Sequence, residues 1–173
     1  MDEVLKIVKS RRSIRSFLDK KIPEEIINKL IEALIWAPSA GNLQARKFFF
    51  VTNNDLKRQL AKAALGQLFI YEAPLVIVGC IDKNKIYSRY GERGVNLYAI
   101  QDVACSITNA MLVACENGLG SVWVGAFREE EASKILKLPG HLRPVVILPI
   151  GYPDYIPSPP KRVSFHEAVE FFE

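Results

Sequence analysis

Apolar positions at Val4, Leu5, Ile7 and Val8 recur at helical spacing and predict a short helix over residues 2–10. The next stretch, Arg11-Arg12-Ser13-Ile14-Arg15-Ser16-Phe17, reads as an extended segment. Ile26, Ile27, Leu30, Ile31, Leu34 and Ile35 then form a broad helical stripe, opened by Pro23 and ended by Pro38. Glu24 and Glu25 suit that helix's positive end. Lys47–Thr52 reads as a strand, and Asn53 or Asn54 caps a helix running to about Leu65. Leu75–Ile81 is a continuous apolar run of strand length, expected to be buried on both faces. Residues 82–95 are polar, with Tyr87, Tyr90, Gly91 and Gly94, and read as a mobile loop. A long helix is predicted from about Asn96 to Asn117. It is apolar nearly all round and needs cover on most sides, for which a partner subunit is a natural source. Gly118-Leu119-Gly120 ends it. A strand over Ser121–Ala126, a helix over Glu129–Leu136 and a strand over Val145–Ile150 follow, with Pro149 hinting at an edge or a bulge. The proline-rich tail turns helical from about Phe165. This order predicts α+β packing around a mixed sheet, in one domain spanning 1–173.

Charge changes this picture little. A net charge of +4 is too mild to argue for nucleic acid and is compatible with an anionic small ligand. The N-terminal MDEVLKIVKS carries charges where a secretory signal has its apolar core, so no signal peptide is expected. The most apolar stretch, Ala99–Cys115, is broken by Gln101, Asp102, Ser106 and Asn109, and reads as a helix buried in protein and not in a membrane. Cys80, Cys105 and Cys115 form no metal spacing and lie in apolar runs. They are expected to be small buried hydrophobes of a reduced, cytoplasmic protein.

Several chemistries lose their footing. Gly118-Leu119-Gly120 follows a helix and precedes a strand, the reverse of a dinucleotide-binding turn, and Trp123 stands at the third glycine position. His141 and His166 have no nearby nucleophile motif and no metal-ligand spacing. What remains is RRSIRSF. Alternation would put Arg11, Ser13 and Arg15 on one face, spanning roughly 13 Å at strand rise. Arginine offers forked, permanent donors for phosphate oxygens, and serine allows close approach. The tail adds a stiff Pro157-Ser158-Pro159-Pro160-Lys161-Arg162 segment with two more cations. Whether the two basic clusters converge is not fixed by spacing. A solvated charged face is the alternative.

RRSIRSF, APSAGNLQ (Ala37–Gln44), NGLGSVWVGAF (Asn117–Phe127), PIGYP (Pro149–Pro153) and the PPKR tail occur in an order that resembles the flavin-dependent nitroreductase family, over nearly the whole chain. The resemblance implies an α+β fold with a mixed sheet flanked by helices, built as an intertwined homodimer with FMN at the subunit interface. It implies that Arg11, Arg12 and Ser13 hold the FMN phosphate with Arg162 and Lys161, and that Arg15 sits by the pyrimidine edge. Pro38, Ser39, Asn42 and Gln44 would come from the partner chain. Gly125 and Ala126 would offer backbone N–H groups near N5 and O4, and Gln67 would line the site. Chemistry would be carried by FMN, with no catalytic side chain and no metal.

The implied activity is an oxidoreductase that takes hydride from NADH or NADPH and passes electrons to a nitroaromatic, a quinone or a related small acceptor. A flavin-binding carrier or sensor without turnover is the rival reading, as is a flavin enzyme of another reaction type, such as a dehalogenase. One departure stands out. Ala45 and Arg46 replace the Pro-Trp or similar pair that often follows this glutamine in the family.

Overall fold

A computed structural model of the chain describes residues 2–172. Its centre is a four-stranded sheet of β1 (Arg46–Val51), β2 (Leu75–Asp82), β3 (Gly120–Ser121) and β4 (Leu142–Gly151), in the order β1-β2-β4-β3. All three ladders are antiparallel. The parallel pairing is a bridge between Ser13 and Ser121 that adds the extended arginine segment to the sheet's far edge. Every residue of Leu75–Ile81 is buried, as a run without alternation predicts. Leu75, Ile77 and Ile81 face α2 (Glu24–Ile35) and α6 (Ala99–Glu116). Val76, Val78 and Cys80 face α3 (Asn54–Ala63), α4 (Phe69–Glu72) and α7 (Glu129–Ile135). The result is helices on both faces of one sheet. The segment 83–116 is long and apolar enough to cross a membrane by length and composition, but α6 packs on β2 and β4 as a core helix.

Local chemistry sets the boundaries. Asn53 caps α3 through its side chain, which accepts the Leu56 N–H at 3.0 Å. Pro23 stands just before α2, and Asp82 caps the helix that follows β2. That helix corrects the loop expected over 82–95. Residues Lys83–Arg93 form α5, which continues through a π-turn, Gly94–Tyr98, into α6. Its apolar anchor is the single buried Ile86, too little to register as helical periodicity.

The strand expected over Ser121–Ala126 is also shorter. Ser121 pairs with Ile150 and Val124 with Ile147, a register that sets Val122 opposite Pro149. Proline has no N–H, so the ladder breaks there. Pro149 therefore lies on an interior strand, at a gap in its neighbour, and not on an edge. Among the cysteines only Cys80 is buried; Cys105 is exposed and Cys115 half-buried. The last short helix is α8 (Phe165–Ala168), and α1 (Glu3–Ser10) buries none of its residues.

Candidate functional site

The arginine segment is held by its backbone. Ile14 N–H donates to the Ser121 carbonyl at 3.0 Å, Leu18 N–H to Tyr152 at 2.9 Å, and Asp154 N–H to Ser16 at 3.1 Å. Ile14 turns inward and is buried. It lies so close to β3 that a Cβ on Gly120 would stand 2.7 Å from the Ile14 Cβ, so glycine is required there. With Ile14 inward, Arg11, Ser13 and Arg15 face the other way. The tail returns over them. A cavity of about 350 Å³ is lined by Arg11, Arg12, Ser13 and Arg15 from one end of the chain and by Pro157, Ser158, Pro160 and Arg162 from the other. The two basic clusters converge.

Within this group the side chains differ. Arg12 Nη1 donates to the carbonyls of Lys9 (2.7 Å) and Arg11 (2.8 Å), closing the C-terminal end of α1. Arg11 Nη1 is buried and has no hydrogen-bond partner among the described residues. A buried cationic donor without an acceptor is costly, and a phosphate oxygen is the acceptor such a fork fits best. Lys161 does not line the cavity; its carbonyl accepts from Arg162 at 3.3 Å.

A second cluster lies along 121–127. Gln67 Nε2 donates to the carbonyls of Ala64 (2.9 Å) and Ala126 (3.2 Å), which ties the turn after α3 to the Gly125-Ala126 segment. The N–H groups of Gly125 and Ala126 have no backbone acceptor among the described residues. A Cβ at Gly125 would meet nothing closer than Trp123 Nε1 at 3.6 Å, so this backbone is open to a flat ligand.

The third piece, Pro38–Gln44, lines neither the arginine cavity nor the Gln67 cluster. It is a strained, well-anchored turn. Gly41, Asn42 and Gln44 all have φ between 52° and 54°. Ser39 Oγ accepts the Gln44 N–H at 3.0 Å, and the Ala40 N–H donates to Asp102 Oδ1 at 2.9 Å. Arg46, the departure noted in the sequence, donates to the carbonyls of Ile35 (3.1 Å), Ala37 (2.6 Å) and Pro38 (2.9 Å). It thus satisfies the bare carbonyls where α2 ends. Burial lowers the Arg46 pKa against the pull of Asp102 and Cys105. Burial raises the Asp102 pKa against the Ala40 N–H and the Arg46 charge. Sequence reasoning missed both residues as supports of this turn. Asp102 had been visible as a carboxylate inside an otherwise apolar helix, the one available signal.

With this geometry in place, the comparisons with known proteins are informative. The nitroreductase family profile matches residues 8–152. The FMN reductase [NAD(P)H] of Bacillus subtilis is 32% identical over 88% of this chain and 67% of its own. Nitroreductase A of Vibrio parahaemolyticus superposes with a TM-score of 0.92 at 26% identity, over 100% of this chain and 77% of that one. The NADPH:FMN oxidoreductase of Vibrio harveyi, solved with NAD+, gives 0.91 at 25% identity over 99% and 78%. The chain belongs to the nitroreductase family.

Proposed function

We propose that this protein is an FMN-dependent oxidoreductase that takes hydride from NADH or NADPH and delivers electrons to a nitroaromatic, quinone or related small acceptor. Donor and acceptor would use one site in alternation. The observation that carries the reading is the cavity that Arg11, Ser13 and Arg15 share with Arg162, next to a buried Arg11 Nη1 that has no hydrogen-bond partner among the described residues. Family membership supports it, as do the flavin and nicotinamide in the relatives' names.

FMN, when bound, supplies the ring that accepts and returns the hydride. The chain's own residues bind and orient. Arg11, Arg162 and Ser13 would hold phosphate oxygens, and Arg12 adds charge while closing α1. Arg15 would set a positive charge where it can stabilise negative charge on the flavin. Gln67 fixes the Ala126 carbonyl, which leaves the Gly125 and Ala126 N–H groups free to donate.

We also read the protein as a cytoplasmic homodimer of single-domain subunits. Gln101, Cys105 and Thr108 form an exposed stripe at helical spacing on the core helix α6. Val4, Leu5 and Val8 of α1 and Tyr155, Ile156, Phe171 and Phe172 of the tail are exposed apolar groups as well. A second copy would cover these surfaces and bring its Pro38, Ser39, Asn42 and Gln44 to the flavin.

The test is the visible spectrum of the purified protein, with FMN added if it is colourless. Bound flavin that bleaches with NADH or NADPH under anaerobic conditions is the expected result. Flavin that binds and never bleaches with either donor favours a carrier. No flavin binding overturns the proposal.

A further inference from the structure

The segment read as a loop holds a feature that the flavin site does not use. The helix breaks at Gly91 (φ 53°, ψ −147°) and resumes through the π-turn Gly94–Tyr98. Tyr90 and Tyr98 are eight residues apart, about 12 Å along a continuous helix. Across this break their rings meet edge to face with centroids 5.3 Å apart. Each ring carries an arginine. The Arg89 guanidinium lies 5.5 Å from the Tyr90 centroid, and that of Arg93 lies 5.5 Å from Tyr98 while its Nε donates to the Tyr98 hydroxyl at 2.9 Å. Both arginines are exposed, and neither has a carboxylate partner among the described residues. The nearby Glu92 takes a bond from Asn96 instead.

This elbow is seated on the Pro38–Gln44 turn. Arg89 Nη1 lies 3.5 Å from the Gly41 carbonyl, and a Cβ on Gly41 would meet the Tyr90 hydroxyl at 2.5 Å and Arg89 Nη1 at 2.9 Å. Arg89 is therefore held against the turn that would wall the proposed active site, Arg93 is held on the adjoining ring, and neither guanidinium has an ion-pair partner among the described residues. A cation–π contact restricts a guanidinium while leaving terminal N–H groups free to bond an anion.

We propose that Arg89 and Arg93 form an anion subsite that takes the phosphate groups of the nicotinamide dinucleotide donor. The proposal rests on the reading that the Pro38–Gln44 turn borders the flavin. Phosphate is the fitting ligand because a guanidinium fork bonds two of its oxygens at once. The subsite would fix the donor's phosphates outside the flavin cavity and so set its affinity.

The experiment compares Arg89→Gln and Arg93→Gln with the wild-type holoenzyme in steady-state kinetics with NADH and NADPH, the acceptor held constant. Bound flavin per chain and its bleaching by dithionite are measured first. If the wild type binds no flavin, the functional reading itself fails, before the subsite is tested. With flavin intact, the expected result is a KM for the donor raised roughly ten- to hundredfold per arginine, and kcat changed far less. A rise with NADPH alone assigns the pair to the 2′-phosphate; a rise with both donors assigns it to the pyrophosphate. The wild-type KM should also climb with salt, more steeply than in either variant. Arg93 does not touch the turn, so Arg93→Gln separates ligand binding from any disturbance of Gly41. Unchanged KM for both donors in Arg93→Gln overturns the proposal, as does a changed KM for an anionic acceptor alone.

Discussion

Arg11→Ala should move stability and flavin affinity in opposite directions. In the flavin-free protein, Arg11 Nη1 is a buried donor with no acceptor among the described residues. Leaving such a group unpaired costs about 1–3 kcal/mol, so deleting it removes a penalty. The half-buried side-chain stem also packs, and its loss takes back part of that gain. The net expectation for the flavin-free variant is stability equal to wild type or up to about 1 kcal/mol higher. The flavin-bound protein loses a charge-assisted bond to phosphate worth about 1.5–3 kcal/mol, which weakens FMN binding roughly 10- to 150-fold.

The assay is a pair of measurements on protein stripped of flavin: the urea midpoint, and FMN titration by fluorescence quenching. Arg12→Ala is the internal contrast. Arg12 Nη1 already serves the carbonyls of Lys9 and Arg11, so its loss should cost the flavin-free protein about 1 kcal/mol and affect FMN less than Arg11→Ala does. An Arg11→Ala protein that is clearly destabilised yet binds FMN with wild-type affinity would refute the reasoning, because Arg11 would then be a structural group.

Four other outcomes are expected. Asp102 has its carboxyl pKa raised by burial, so the fold favours the protonated form, and this group's contribution is lost as pH rises from its unfolded pKa through the raised folded value. Asp102→Asn keeps an acceptor for the Ala40 N–H and should abolish that loss, read as a flatter stability profile in denaturant titrations across the acid range. Gly120→Ala should cost about 1–3 kcal/mol and reduce flavin retention, because the new methyl displaces Ile14 and with it the arginine segment; thermal melting with and without FMN checks both effects. Burial pushes the Cys80 thiol up to about 12, so it should react with a thiol reagent only on unfolding. Exposed Cys105 should react quickly in a monomer and slowly in the proposed dimer, and labelling followed by mass spectrometry distinguishes the two.

Much of the architecture was legible because its signals are local. The unbroken apolar run of β2 states both its element and its burial, while the stripe of α2 states its element but buries only Leu30 and Leu34 and leaves Ile31 and Ile35 exposed. The failures have specific physical causes. α5 is held by Ile86 and a capping Asp82 more than by an apolar face, so periodicity did not reveal it. The strand after Gly118 breaks at a proline distant in the chain, and only register brings Pro149 opposite Val122. Of the expected site residues, Arg11, Arg12, Ser13, Arg15 and Arg162 share one cavity, and Gln67 bonds Ala126. Lys161 stands outside the cavity, and the Pro38–Gln44 turn lies apart from both groups. In the proposed dimer the turn would instead serve the flavin of the second chain, and no pattern within one chain encodes that pairing.

Arg46 ties these strands together. As a sequence feature it was only an exception to a family habit. In the fold it gathers three carbonyls at the end of α2 and reaches the Asp102 backbone carbonyl at 3.5 Å, while the Asp102 side chain accepts the Ala40 N–H. A turn with three left-handed residues is intrinsically unfavourable, by about 1–2 kcal/mol for each non-glycine position. It persists only if its surroundings over-determine it. Arg46 and Asp102 supply that constraint from one side, and Arg89 and Tyr90 close on Gly41 from the other. The strain is therefore held between the core helix and the arginine elbow. In the proposed dimer a change at either support would be felt at the flavin of the other subunit.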